Sequence, residues 1–331
     1  MEVAVRGARS LACVIAAVLV CGACRPVLPA RRSTLEPASP EELAAAVRVQ
    51  RPRCSLGLGY LFPGLGSLCL GKTGQGAAIA ALAAAELTTT IVVARREPLG
   101  LEHPGAFVPF LAFQDLWVAG VAEVSIERAL AERALYAPRD QVSDLVLAPF
   151  NGNVLRRPAV WLGTLGLLGA GIVASLAVDE SSSTERLGDD PNLFGQRIDR
   201  RAGYPLGLGV MGGLFSHVAL AEESLFRGVL QSGWARSLGE TGGWIGGSLV
   251  FGAVHAANAL FLPEDERAAY LMFGVPFITA VGYLGWVYRD SGYALAPPVA
   301  LHFWYDFLLS ATFFVLDPEH SLLSASVSLP L

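Results

Sequence analysis

The residues that could do chemistry in this chain are ionisable side chains inside apolar segments of its C-terminal half. A charged side chain at the centre of a membrane helix costs about 2.5–3.5 kcal/mol on insertion scales, so it needs a partner or a function. Three apolar segments share such residues, namely Glu222, Glu223, Arg227, His255, His302 and Asp306. These side chains are the first candidates for a functional site.

Spacing within the first segment separates a structural pair from a free acid. Glu223 and Arg227 are four residues apart, so they share one helix face and can form an ion pair. Glu222 lies about 100° further round the helix and can face a different neighbour. The sequence therefore predicts that Glu223 and Arg227 support the helix, while Glu222 is available for chemistry.

The other two segments supply imidazoles and a second carboxylate. His302 and Asp306 are again four residues apart, and His255 lies on the helix between the two pairs. Three helices could bring Glu222, His255, His302 and Asp306 to one buried point. A carboxylate beside imidazoles in an apolar pocket suits water activation, because the carboxylate takes the proton and the imidazoles polarise or orient.

The order of these motifs resembles a known protease family. E-E-x-x-x-R begins at Glu222, F-x-x-x-H begins at Phe251, and H-x-x-x-[N/D] begins at His302. This pattern is similar to the CPBP family, the type II CAAX prenyl proteases and bacteriocin-processing proteins, which are intramembrane endopeptidases. The stretch from Gly282 to His302 also looks like the run before the family's last motif. The resemblance covers residues 204–312.

The resemblance implies a role for each matching residue. Glu222 would be the general base that activates water, and His255 would position that water. His302 and Asp306 would stabilise the oxyanion. The remaining motif residues would have supporting roles. Glu223 and Arg227 would hold the end of their helix in shape, and Phe251 would line the pocket.

Asp306 departs from the commonest family pattern, which has Asn at this position. An ionised aspartate would repel an oxyanion. Asp306 must therefore be protonated, be paired with His302, or orient that imidazole. We favour a protonated Asp306 that donates a hydrogen bond to the oxyanion.

Family members have also been described as metal-dependent. Glu222, His255 and His302 would make a zinc set of two histidines and one carboxylate. The chain has no H-E-x-x-H motif. A metal-free glutamate mechanism without cofactors is favoured, with zinc as the alternative.

Two other functions compete with an endopeptidase. One is a non-catalytic membrane scaffold or bacteriocin-immunity protein on the same fold, and the other is a transporter with a proton relay. A transporter would be expected to show an inverted repeat, and no long repeat is found.

Outside the motifs, Glu86, Asp115 and His217 are interpreted as packing or pairing residues.

Composition indicates the elements that must position these residues. Of 331 residues, 53% are hydrophobic and only 16% are charged, with the apolar residues in blocks. This predicts an all-α polytopic membrane protein, a bundle of about seven to eight transmembrane helices. The predicted segments are Gly74–Ala94, Gly105–Ala122, Pro158–Val178, Tyr204–Ala221, Gly242–Leu262, Ala268–Tyr288 and Tyr293–Leu316, with a short eighth at Ser55–Leu70. Small-xxx-small pairs at Gly209/Gly213 and Gly243/Gly247 predict close helix contacts.

The chain divides into six predicted regions. Residues 204–316 form the protease-like core, preceded by accessory membrane helices at 54–157 and by a helix with a connecting loop at 158–203. Residues 1–24 are predicted to be a signal peptide or anchor, with a lipidation-like Cys24; residues 25–53 are an exposed linker and 317–331 a tail. This arrangement predicts an integral protein of a bacterial plasma membrane.

The expected partners are the lipid bilayer and a membrane-associated protein or peptide substrate. The net charge of −5 provides no basic surface for nucleic acid. Residues 66–73 fit G-x-x-x-x-G-K-[ST], but a phosphate-binding loop needs a strand before it, whereas here Pro63 and glycines precede a helix-length apolar run. Nucleotide binding is therefore not expected.

Overall fold

A computed structural model of the chain describes residues 56–96, 99, 103–178, 186–262, 264–280 and 282–324. Within these ranges the protein is helical apart from one short hairpin. The predicted signal segment, the Cys24 site and the linker at 25–53 lie outside the described residues and stay predictions.

The described residues form thirteen α-helices. They are α1 Leu56–Leu61, α2 Leu65–Cys69, α3 Thr73–Ala94, α4 Pro104–Ala131, α5 Val142–Leu147, α6 Gly152–Leu155, α7 Pro158–Val178, α8 Arg200–Glu222, α9 Ser232–His255, α10 Glu264–Ala269, α11 Val275–Ala280, α12 Gly282–Asp290 and α13 Ala296–Leu316. A π-helical segment, Glu223–Gln231, joins α8 to α9, and a second one, Tyr270–Gly274, joins α10 to α11. Short 3-10 helices occur at Ala148–Phe150 and Ala256–Phe261. The antiparallel hairpin pairs β1 Asn192–Leu193 with β2 Gln196–Arg197.

Five helical runs among the described residues are long and apolar enough to cross a bilayer. They are Thr73–Ala94, Pro104–Ala131, Arg200–Leu260, Arg267–Asp290 and Ala296–Leu316, and the shorter apolar run Pro158–Val173 accompanies them. The protein is thus an all-α integral membrane protein, as predicted. The predicted number of seven to eight spans is not shown by these runs.

Two predicted spans lie in a single run of 61 residues, Arg200–Leu260. A straight helix of that length would extend about 90 Å, far more than a bilayer. Gly239 interrupts it with a φ of 78° and a ψ of 166°, a conformation that favours glycine. The run therefore turns at Gly239, and its second arm packs back against the first.

Small residues line only one of the two predicted helix contacts. A Cβ at Gly243 would lie 2.6 Å from the Ala235 nitrogen, and one at Gly247 would lie 3.1 Å from Gln231 Cβ. The prediction is correct for this pair. It is wrong for Gly209 and Gly213, where a Cβ would meet no described atom within 4 Å.

The described part of the predicted segment Ser55–Leu70 contains two short helices, α1 and α2. They are joined through Gly64, whose φ is 87° and whose added Cβ would lie 2.3 Å from the Gly76 carbonyl oxygen. Neither helix is long enough to span a bilayer. This resolves the eighth predicted segment into a compact turn packed on α3.

The N-terminus of α13 is fixed by a residue from another part of the chain. Pro297 and Pro298 occupy its first turn and contribute no N–H groups. The preceding N–H groups of Leu295 and Ala296 donate to the Asp140 carboxylate at 2.8 and 3.3 Å. Asp140 therefore sets the position of the helix that carries His302.

Candidate active site

Glu222 lies where α8 passes into the π-helical segment, and it faces two imidazoles. Its Oε2 is 3.8 Å from Nε2 of His255 and 3.9 Å from Nε2 of His302. This oxygen is buried and has no hydrogen-bond partner among the described residues. The carboxylate oxygen thus lies between two imidazole nitrogens from two other helices.

The backbone of α9 fixes the tautomer of His255. Its Nδ1 lies 2.7 Å from the carbonyl oxygen of Phe251, one turn earlier. A carbonyl oxygen only accepts, so Nδ1 carries the hydrogen and Nε2 of the neutral ring presents a lone pair towards Glu222. The Phe251 ring lies 4.4 Å from the His255 ring and 6.2 Å from the His302 ring, which gives the site an apolar wall.

His302 contacts carboxylates through both ring nitrogens. Its Nδ1 is 2.9 Å from Glu223 Oε1, and its Nε2 is 3.2 Å from Asp306 Oδ2. Glu223 is therefore more than a helix support, because it also holds His302 in one orientation. Sequence spacing did not predict this contact, since Glu223 and His302 are 79 residues apart. The adjacent pair of glutamates was the only available signal.

Glu223 and Arg227 form the ion pair that their spacing predicts. Both side chains have zero exposure, and Arg227 Nε lies 3.1 Å from Glu223 Oε2. The two atoms are close but not aligned for a hydrogen bond, and no guanidinium nitrogen has such a partner among the described residues. The guanidinium carbon also lies 4.4 Å from the Phe251 ring centre. Charge pairing and a cation–π contact therefore stabilise Arg227 together.

The π-helical segment begins between the two adjacent glutamates, whose side chains point in different directions. It covers nine residues, Glu223–Gln231, and begins directly after Glu222. π-helical turns are rare and often occur at functional sites. Here Glu223 points to His302 and Arg227, while Glu222 points between the two Nε2 atoms.

A zinc ion at this site would need Glu222, His255 and His302 as its ligands. Among the described residues, no group of three or more His, Cys, Asp or Glu side chains is arranged to hold a metal ion. The Glu222 oxygen and the imidazole nitrogens do not form a three-donor set in this arrangement.

Three ionisable residues outside the motifs lie in the same region. His217 Nε2 is 3.3 Å from Glu86 Oε1, so these two residues pair across α8 and α3. Asp115 on α4 interacts electrostatically with Glu222 and His217. Pairing was predicted in general terms, but the proximity of Asp115 to Glu222 was not.

The sequence that resembles a phosphate-binding loop makes a different structure. Lys72 Nζ lies 2.8 Å from Glu123 Oε1 and 2.6 Å from Glu127 Oε1, and Gln75 also donates to Glu123. Lys72 therefore joins the α2–α3 turn to α4. This lysine is already held by two carboxylates.

Fold and site together define an integral membrane protein with a buried carboxylate–imidazole centre. Residues 205–308 match the family model described as type II CAAX prenyl endopeptidase Rce1-like, so the chain carries a CPBP family domain over these residues. The resemblance inferred from the motifs is confirmed, with nearly the same boundaries. Neither the curated proteins nor the solved structures gave a match.

Proposed function

We propose that the protein hydrolyses a peptide bond of a membrane-associated protein or peptide, using water activated by Glu222. The observation that carries this proposal is the buried, unpartnered Oε2 of Glu222 between Nε2 of His255 and Nε2 of His302. The family domain supports a membrane peptidase. The assignment of roles to individual residues is the proposal.

The reaction begins with a water hydrogen-bonded to Glu222. Glu222 removes one proton as the water oxygen attacks the peptide carbonyl carbon, and His255 Nε2 orients that water. When the tetrahedral intermediate collapses, the carbon–nitrogen bond breaks and the amine takes the proton from Glu222. The products are a carboxylic acid and an amine, and the carboxylate of Glu222 is restored.

In this mechanism His302 and Asp306 stabilise the oxyanion of the intermediate. Glu223 accepts a hydrogen bond from Nδ1 of His302, so Nε2 is the nitrogen that faces Asp306 and Glu222. Nε2 and Asp306 Oδ2 are 3.2 Å apart, so both groups can reach the same substrate oxygen. A proton on either group can form a hydrogen bond to an oxyanion there.

A purely structural role suits these residues less well. Glu223 and Arg227 pair with each other on one helix face, whereas Glu222 Oε2 faces two imidazole Nε2 atoms from other helices at 3.8 and 3.9 Å. A carboxylate between two imidazoles suits water activation, and this arrangement favours an enzyme over a scaffold or immunity protein on the same fold.

The decisive experiment compares Glu222→Gln with wild type in cleavage of a membrane peptide. Glutamine keeps the shape and loses the base, so we expect a fall in kcat of about 10²–10⁴-fold in a folded protein. Glu264→Gln, at a 92% exposed side chain, is the control and should cleave normally. Cleavage by Glu222→Gln at the wild-type rate would falsify the assignment.

A further inference from the structure

An apolar groove runs between α3, α4 and α8, apart from the proposed catalytic residues. Its volume is about 260 Å³, and its apolar lining includes Ile79 and Leu82 on α3 and Leu116 on α4. Glu222 and the two imidazoles that it faces are not among the described residues that line it. The groove is therefore a separate feature of the bundle, and the peptidase chemistry does not account for it.

The groove has a charged lining at the membrane boundary. Lys72 comes directly before the apolar run Thr73–Ala94, so it lies where that run meets the level of the lipid head groups. Glu123 and Glu127 reach it from α4 at 2.8 and 2.6 Å, and all three residues line the groove. Asp140 lines it too, so one ammonium stands against three carboxylates.

The length of the groove matches the depth of one lipid leaflet. Leu82 lies ten residues beyond Lys72, which is about 15 Å along a helix. The hydrocarbon core of a bilayer is about 30 Å thick, so one leaflet contributes about 15 Å of it. The groove therefore extends from the head groups to the middle of the bilayer, which is the depth that one acyl chain reaches.

The groove is also open on its side. Two apolar residues of its lining, Leu82 on α3 and Val146 on α5, are 44% and 48% exposed. At the charged end, the Lys72 and Glu127 side chains are 31% and 27% exposed. A lipid in the surrounding bilayer can thus enter the groove sideways and keep its head group at the membrane surface.

The charged end can bind both a phosphate and an ammonium group. An ammonium has three N–H donors, and Lys72 uses two of them for Glu123 and Glu127, so one is left for a phosphate oxygen. Glu127 bonds to Lys72 through Oε1, and its Oε2 has no hydrogen bond to a described residue. That oxygen can accept a hydrogen bond from a cationic ligand.

We propose that this groove binds one phosphatidylethanolamine molecule of the bilayer. Its phosphate lies at Lys72, its primary ammonium at Glu127, and one acyl chain between α3 and α4. Charge complementarity selects this lipid, because its head group carries the two opposite charges that Lys72 and Glu127 match. Phosphatidylglycerol has the phosphate but no cation, and it would add negative charge beside three carboxylates. The proposal does not depend on the peptidase function.

Native mass spectrometry of the full chain in detergent tests the head-group contacts. The protein is titrated with phosphatidylethanolamine and with phosphatidylglycerol of identical acyl chains. Phosphatidylethanolamine should bind about three- to tenfold more tightly, and Glu127→Gln should abolish this preference. Glu132→Gln is the matched control, because Glu132 is on the next turn of the chain, pairs with Arg128 and is outside the described lining. It should keep the wild-type preference.

Leu82→Trp tests the acyl-chain contacts and covers the case in which Glu127→Gln does not fold. The indole would fill the groove, so the affinity for phosphatidylethanolamine should fall at least about tenfold. Ile91→Trp is the control, since Ile91 is 48% exposed on the same helix but outside the described lining, and it should bind the lipid normally.

Two results would overturn the proposal. One is equal affinity of the wild-type protein for the two lipids. The other is unchanged lipid binding in Leu82→Trp. If that variant also raised KM for a membrane peptide, the groove would be a substrate site instead of a lipid site.

Discussion

At the scale of single residues, the contact between Glu223 and His302 bears on the role that we propose for Asp306. An orienting carboxylate acts by fixing which imidazole nitrogen carries the hydrogen. Glu223 already does this at Nδ1, at 2.9 Å. Asp306 lies at the opposite nitrogen, Nε2, where an oxyanion would bind, and this position supports a donor role for Asp306.

Asp306→Asn should therefore keep most of the activity. Asparagine keeps the size of the side chain and donates a hydrogen bond as a protonated aspartate does. We expect a loss of less than about tenfold in kcat. The measurement is kcat of both forms on one substrate at several pH values. A large loss at every pH would instead show that Asp306 acts as an ionised partner of His302.

Glu223→Gln should destabilise the protein as well as slow it. The change leaves the fully buried Arg227 without its counter-charge, and breaking a buried pair costs about 3–5 kcal/mol. Thermal unfolding in detergent measures the effect. Glu240→Gln is the matched control, because Glu240 is also 3.1 Å from its arginine, Arg289, but is partly exposed. That surface pair should contribute less than about 1 kcal/mol, so equal shifts in Tm for the two variants would contradict the prediction.

Zinc dependence is tested by metal removal. If Glu222 activates water without a metal, chelators that remove zinc should leave cleavage intact, and purified protein should contain well under one metal per chain. Metal analysis and activity are measured on the same samples. Stoichiometric zinc that tracks activity and is lost in His255→Ala would favour the zinc set of Glu222, His255 and His302.

At the scale of helices, the π-helical segment explains what sequence spacing could and could not predict. The four-residue spacing of Glu223 and Arg227 correctly predicted their pairing, because that spacing keeps side chains adjacent. A π-helical turn follows from the packing of the whole bundle and has no local signature in Glu223–Gln231. The contact with His302 was therefore beyond reach from the sequence.

Helix positions were more predictable than helix contacts. The predicted segment Pro158–Val178 matches α7, and Gly74–Ala94 differs from α3 by one residue, because long apolar runs mark membrane helices directly. Glycine spacing alone did not identify contacts. Gly209 and Gly213 have the same motif as Gly243 and Gly247, but an added Cβ there would meet no atom of the described residues within 4 Å. Which face of a helix meets a partner depends on the partner.

Gly243→Ala and Gly209→Ala test this difference directly. A methyl group at Gly243 would lie 2.6 Å from a backbone nitrogen, so we expect a destabilisation of about 1–3 kcal/mol. At Gly209 the same change meets no described atom and should be neutral or slightly stabilising. The Tm of each variant is measured by thermal unfolding. Equal Tm values would contradict a tight contact between the two arms of the hairpin at Gly243.

At the scale of the whole molecule, close contacts join the predicted accessory helices at 54–157 to the predicted protease-like region at 204–316. A Cβ at Gly228 would lie 2.8 Å from Ile126 on α4, and Asp140 holds the start of α13. The predicted boundary between residues 54–157 and 204–316 is therefore crossed by close contacts. Composition cannot reveal this, because both parts are equally apolar.

Lys72 provides a test of the contact between the α2–α3 turn and α4. Burial lowers the pKa of Lys72, but hydrogen bonds and charge from Glu123 and Glu127 outweigh it, so the pKa is raised overall. A raised pKa means that the ion pairs stabilise the fold fully below the unfolded value of about 10.4 and lose effect as pH rises through the folded pKa. Lys72→Met should lower Tm by the same amount at about pH 7 and pH 9, whereas a difference that shrinks over this range would contradict the assignment.

The hairpin that turns at Gly239 also has a consequence for the order in which the protein is made. Glu222 and His255 lie on its two arms, so they can meet as soon as that one hairpin has been inserted. His302 belongs to α13, which follows later in the chain and must find Glu223 across 79 residues. If Glu222 is the base and His302 belongs to the oxyanion site, as we propose, a nascent chain acquires the base first and can become active only when the final helix has entered the membrane.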